Sequence, residues 1–102
     1  STELQGHWRG TLDTGNVKLR LALDIAKHSG DVFTAHLASL VQYGNNDPIR
    51  ANVVRFTPPT LRLEWKWTGG VFEGRLEQGR LSGAWRQGGG SFPLVFERRQ
   101  PK

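Results

Sequence analysis

The sequence predicts an all-β chain, a small eight-stranded antiparallel up-and-down barrel. Three observations predict it. Apolar residues alternate with charged or small ones along most of the chain, the two-residue period of a half-buried strand. Turn-forming residues interrupt these runs at intervals short enough for hairpins. Nowhere does the apolar pattern hold a helical period over three turns.

The elements follow in order. The first strand reads from Leu4 to Asp13, with Gly6, Trp8, Gly10 and Leu12 inward. From Val17 to Ile25 every odd residue is a large aliphatic and every even one is charged or small. Val32 to Ser39 turns Phe33, Ala35 and Leu37 inward. Ile49 to Phe56 is the fourth, where adjacent Val53 and Val54 suggest a bulge that switches faces. Thr60 to Trp67 sets Leu61, Leu63, Trp65 and Trp67 against Arg62, Glu64 and Lys66. Gly70 to Glu77 and Arg80 to Gln87 place Phe72, Gly74, Leu76, Leu81, Gly83 and Trp85 inside. The last strand, Ser91 to Arg99, buries Phe92, Leu94 and Phe96. Its Pro93 faces outward, and without an N–H it marks an edge-like or bulged position. Only Leu40 to Pro48 is a longer loop. Eight such strands suffice to close a sheet and remove its edges.

At 102 residues the chain is one domain, with residues 99–102 a frayed tail. It has no cysteine, hence no disulfide, thiolate nucleophile or cysteine-based zinc site. No apolar run is long enough for a transmembrane helix, and no segment reads as a signal peptide. The formal charge is +5, and ten of the fourteen Lys and Arg are Arg, which brings acidic partners into consideration. Placed face by face, however, the cations lie on an outer surface that also carries Glu64, Glu73, Glu77 and Glu97. Outward Val32, Val54, Val71 and Val95 form a modest apolar patch, and the oligomeric state is left open.

Glycine inside a strand weakens it unless a neighbour comes close or the strand bends. Gly6, Gly10, Gly74 and Gly83 all fall on the inward face, where they yield room to Trp8, Trp65, Trp67 and Trp85. In a closed barrel the first and last strands are neighbours, so Arg98 can lie across Trp8 and cap one end. Gly6, Trp8, Trp85 and Arg98 are therefore the candidate barrel-closing residues. The set Gly6, Trp8 and Arg98 resembles the signature of the calycins, the lipocalins and their relatives, and implies a lipocalin-like barrel.

A second resemblance covers nearly the whole chain. It is carried by Gly6-x-Trp8-x-Gly10-x-Leu12, Leu19 to Ile25, Phe72-Glu73-Gly74-Arg75-Leu76, Leu81 to Gly89 and Pro93-Leu94. These resemble the small β-rich accessory domain that precedes the catalytic domain of secreted bacterial serine hydrolases, both α/β-hydrolase esterases and β-lactamase-like enzymes. The resemblance implies a non-catalytic module, secreted or periplasmic, with a hydrolase domain as partner. The segment Leu40 to Asp47 departs from that family's pattern.

Catalytic chemistry finds little to stand on. Ser39 and His36 share a strand but point to opposite faces, and there is no Gly-x-Ser-x-Gly elbow. His7 and His36 face outward and His28 sits in a turn, so a metal site would need distant strands to converge. The glycine run Gly88 to Gly90 joins strands and opens no helix, so it cradles no phosphate. Basic and aromatic residues interleave at His7-Trp8-Arg9, Trp65-Lys66-Trp67 and Trp85-Arg86, but strand parity sends rings inward and cations outward.

The expectation is thus a non-enzymatic accessory or binding module without cofactor, metal or membrane span. A small apolar ligand would enter at the barrel mouth, where Gln42 and Tyr43 cover Trp65 and Trp67 and where Arg55 or Arg62 meets an anionic head group. The inward rings argue the other way, for a filled core. Two alternatives stay open: a small barrel binding single-stranded nucleic acid, which is disfavoured, and a stand-alone carrier of a small ligand.

Overall fold

The alternating pattern folds as strand throughout. In a computed structural model, which describes residues 4–30, 32–39, 48–66 and 68–99, nine strands follow one another. They are β1 (Gly6–Asp13), β2 (Lys18–Lys27), β3 (Phe33–Ser39), β4 (Ile49–Arg50), β5 (Val53–Thr57), β6 (Thr60–Trp65), β7 (Gly70–Glu77), β8 (Arg80–Gln87) and β9 (Gly90–Arg99). One antiparallel sheet holds them in the order β4-β3-β2-β1-β9-β8-β7-β6-β5. No helix is present among the described residues.

The two strands at the ends of that order are consecutive in the chain. Ala51 N–H donates to the Ala35 carbonyl on β3 at 2.9 Å, and Asn52 N–H donates to the Glu64 carbonyl on β6 at 2.8 Å. Ile49 to Thr57 is therefore one bent strand that leaves β3 for β6, and the curled sheet is the expected eight-stranded barrel. The irregularity expected at Val53 and Val54 sits instead at Ala51 and Asn52. Val53 and Val54 pair in simple alternation with Glu64 and Leu63. Val54 consequently packs against the core and drops out of the expected outer patch, whereas Val32 and Val95 are exposed.

Hairpin geometry sets the register. Gln78 and Gly79 both have positive φ, 49° and 78°, the primed turn whose twist matches that of the flanking strands. Gly83 faces Gly74 across the β7–β8 ladder. A Cβ on Gly83 would fall inside contact distance of the Glu73 carbonyl and the Gly74 Cα, so the two backbones meet there as only glycine permits. Phe72 crosses Phe96 edge to face, with ring centroids 5.2 Å apart.

The interior is filled with side chains. Trp8, Leu23, Leu61, Leu63, Phe72, Leu81, Leu94 and Phe96 are essentially unexposed. Among the described residues no buried side-chain polar atom lacks a partner. At the C-terminus, the expected fraying from residue 99 starts one residue too early, because Arg99 pairs with His7 as part of β9.

Candidate functional site: the two ends of the barrel

Up-and-down connectivity gives the barrel two unlike ends. One gathers the start of β1 and the end of β9, and it is shut. Leu4 is fully buried beneath it, and the Trp8 indole N–H donates to the Leu4 carbonyl at 3.0 Å. The Arg98 guanidinium lies 4.6 Å from the centroid of the Trp8 ring and donates to the Gln5 carbonyl. Gly6 makes room for that guanidinium: its φ is 145°, and a Cβ there would stand 2.7 Å from an Arg98 nitrogen. The ladder brings these residues together by pairing Trp8 with Arg98.

The opposite end carries the other tryptophans. Trp65 and Trp85 lean on each other with centroids 5.5 Å apart and planes inclined at 45°. The Trp65 indole N–H donates to the Ile49 carbonyl at 2.9 Å, tying β6 to β4. The Trp85 indole N–H donates to the Gln87 side chain at 3.1 Å, and Gln87 in turn donates to the Thr68 carbonyl at 2.9 Å. Gly70 leaves the space that the Trp85 ring occupies. The same end bears large exposed aliphatics: Val17, Leu19 and Ile49, the first 51% exposed. Trp85 thus belongs to this end and not to the closure at Trp8. Gln42, Tyr43 and Trp67, expected around this mouth, lie outside the described residues.

Arg55 and Arg62 are not part of the mouth. Strand parity puts both on the outer wall, opposite each other on β5 and β6. Arg62 donates to Glu64 at 2.7 Å and to Glu73 at 3.4 Å, and Arg86 donates to Glu73 at 2.9 Å. The hydrogen bond from Arg62 holds the Glu64 carboxyl below its ordinary range and raises the guanidinium in return. Arg62 and Arg86 are thus already partnered.

The remaining polar residues stand where parity puts them. Ser39 is paired with Leu21 and His36 with Asp24, so the two share a strand on opposite faces. His7 Nδ1 and Asp24 Oδ1 are 2.6 Å apart, and Asp24 is flanked by His7 on β1 and His36 on β3. His28 bonds the Thr34 hydroxyl at 3.0 Å. The histidines therefore lie on neighbouring strands, closer than sequence alone indicated. Even so, no group of His, Asp or Glu among the described residues is arranged to hold a metal ion. No helix there is long and apolar enough to cross a membrane.

Neither family models nor curated proteins give a match to this chain. Among solved structures, a mutant of the fluorescent protein UnaG is similar over 95% of this chain and 96% of its own, with a TM-score of 0.57 and 10% identity. At that identity the likeness concerns the fold, a calycin-like β-barrel.

Proposed function

We propose that this barrel is a non-catalytic binding module that takes a small apolar ligand at its open end. In the same reading it is an accessory domain of an exported bacterial protein, working beside a hydrolase domain. One observation carries the ligand reading: the asymmetry of the ends. Arg98 and Leu4 seal one, while the other carries the buried Trp65–Trp85 pair and exposed Val17, Leu19 and Ile49. Exposed aliphatics rimming paired aromatics suit an apolar guest more than water. A filled interior confines that guest to the mouth. The calycin-like fold agrees with binding, and the accessory role rests on the resemblance in the strand and glycine motifs.

Titration with a fluorescent fatty acid, cis-parinaric acid, tests the ligand reading through tryptophan emission. Saturable quenching that weakens in Trp65→Phe and Leu19→Glu supports it; absence of quenching in the wild type overturns it. The accessory role is tested in the genome, where the same reading frame should carry an export signal upstream and a hydrolase downstream.

A further inference from the structure

The barrel is closed by a bend, and below that bend two strand edges face each other without a ladder. β3 pairs with the bent strand at Leu37–Ile49 and His36–Arg50, and the Ala51 N–H reaches the Ala35 carbonyl. From there β3 runs back to Phe33, while β5 runs on to Thr57 with β6 as its one ladder partner. His28 N–H donates to the Val32 carbonyl, so alternation turns the backbones of Phe33 and Ala35 away from β2. Asn52 N–H donates to the Glu64 carbonyl beside the Val53–Glu64 pair, which likewise turns the backbones of Val54 and Phe56 away from β6. Among the described residues the Ala35 N–H and both backbone groups of Phe33, Val54 and Phe56 have no backbone partner.

The two faces of this seam differ. Behind it the Phe33 and Phe56 rings meet edge to face at 5.8 Å, packed against the core but only partly buried. On the outer wall the bent strand carries Arg50 and Arg55, both exposed. Neither makes an ion pair with a carboxylate among the described residues. Arg55 and Lys66 lie close enough to Glu64 to act on its charge, but that carboxylate accepts its hydrogen bond from Arg62. Positive charge is thus in excess beside the seam.

We propose that the free edge of β5 binds an extended acidic peptide segment as an added strand, its apolar side chains inward on the Phe33–Phe56 pair and its carboxylates outward on Arg50 and Arg55. Unpaired strand backbone is a ready template for such addition. Alternate residues of a strand point to opposite faces, so one extended guest meets the phenyl rings and the arginines together. Arginine forks match carboxylates two bonds at a time. A second copy of this chain fits less well. The two-fold register that pairs Val54 with Phe56 sets Arg55 opposite its own counterpart, and like charges so placed repel. This edge lies on the side of the barrel, apart from the mouth, so it stands or falls apart from the apolar-ligand reading.

Fluorescence anisotropy with a labelled peptide of alternating Glu and Val tests it, against its Lys–Val counterpart and its backbone N-methylated form. The expected result is salt-sensitive binding of the Glu–Val peptide alone, with amide shifts mapped by NMR to Phe33–Ala35 and Val53–Thr57. Arg50→Gln and Arg55→Gln are exposed changes that keep the fold, and together they should weaken binding by about tenfold or more. Val54→Pro removes an N–H that faces the seam and none that bonds β6, a change that edge strands accept. It should abolish binding while the circular dichroism of the sheet is kept. Failure of the Glu–Val peptide to bind, or its undiminished binding to Val54→Pro, overturns the proposal. Equal binding of the Lys–Val peptide overturns the charge recognition, and equal binding of the N-methylated form overturns the strand addition. A dimer in sedimentation that protects the β5 amides assigns the edge to a second copy instead.

Discussion

The guanidinium of Arg98, on the last strand, stands 4.6 Å over the ring of Trp8, on the first. It joins the two strands by a face contact and by its bond to the Gln5 carbonyl. Arg98→Ala loses both and should lower stability by about 1–2 kcal/mol. Arg98→Lys keeps the charge but not the planar fork, and should recover only part of that loss. Denaturant midpoints of the three proteins, followed by tryptophan emission, provide the comparison.

Gly83 is the position least able to accept a side chain. Its Cβ would meet backbone, the Glu73 carbonyl and the Gly74 Cα, which cannot swing aside as a rotamer would. Gly83→Ala should cost about 3 kcal/mol or abolish folding. Gly15 has open space around it and a φ of 94°. Gly15→Ala should therefore cost only the strain of its backbone conformation, about 1 kcal/mol. Thermal unfolding by circular dichroism separates the two.

The bend between β4 and β5 is fastened from β6. Asn52 Oδ1 accepts the Lys66 N–H at 2.6 Å, and the Trp65 indole reaches the Ile49 carbonyl. Asn52→Ala should cost about 1 kcal/mol, and Trp65→Phe somewhat more because packing is lost as well. Hydrogen exchange should show the loss of protection concentrated at Ala51 and Asn52, with β7 to β9 unchanged.

The Arg62–Glu64 pair gives stability a sign on the acid side. Glu64 titrates below its ordinary range when folded, so its contribution is complete above its unfolded pKa and fades as pH falls through the lower folded value. The raised guanidinium of Arg62 stays charged throughout that window. Between about pH 6 and about pH 3, wild type should lose more stability than Glu64→Gln. The difference should be small and should shrink with added salt, because the pair lies on the outer wall and is only partly buried. Urea midpoints at the two pH values measure it.

How far the sequence reached depends on the range of the interaction. The strand from Val17 to Ile25 announces itself, because burial on one face demands an apolar residue at every second position and nothing else is required. The inward tryptophans and glycines are legible for the same reason. The bend at Ala51 and Asn52 is not, since what holds it comes from Trp65 and Lys66, more than a dozen positions on, and valine parity gave a false cue at Val53. Arg55 and Arg62 were drawn to the mouth by their charge, against the parity that puts them outside. Gln42, Tyr43 and Trp67 fall outside the described residues.

A ring that one strand completes by changing partners has a preferred place to give way. Ladders elsewhere run for several residues, but among the described residues β3 meets the bent strand only through the pairs at Ile49 and Arg50, the bond at Ala51 and Phe33 meeting Phe56 edge to face at 5.8 Å. The cheapest excursion of this barrel is accordingly a parting there, with the remaining ladders intact. Breathing of the wall then proceeds along one line, the seam where those two phenyl rings meet.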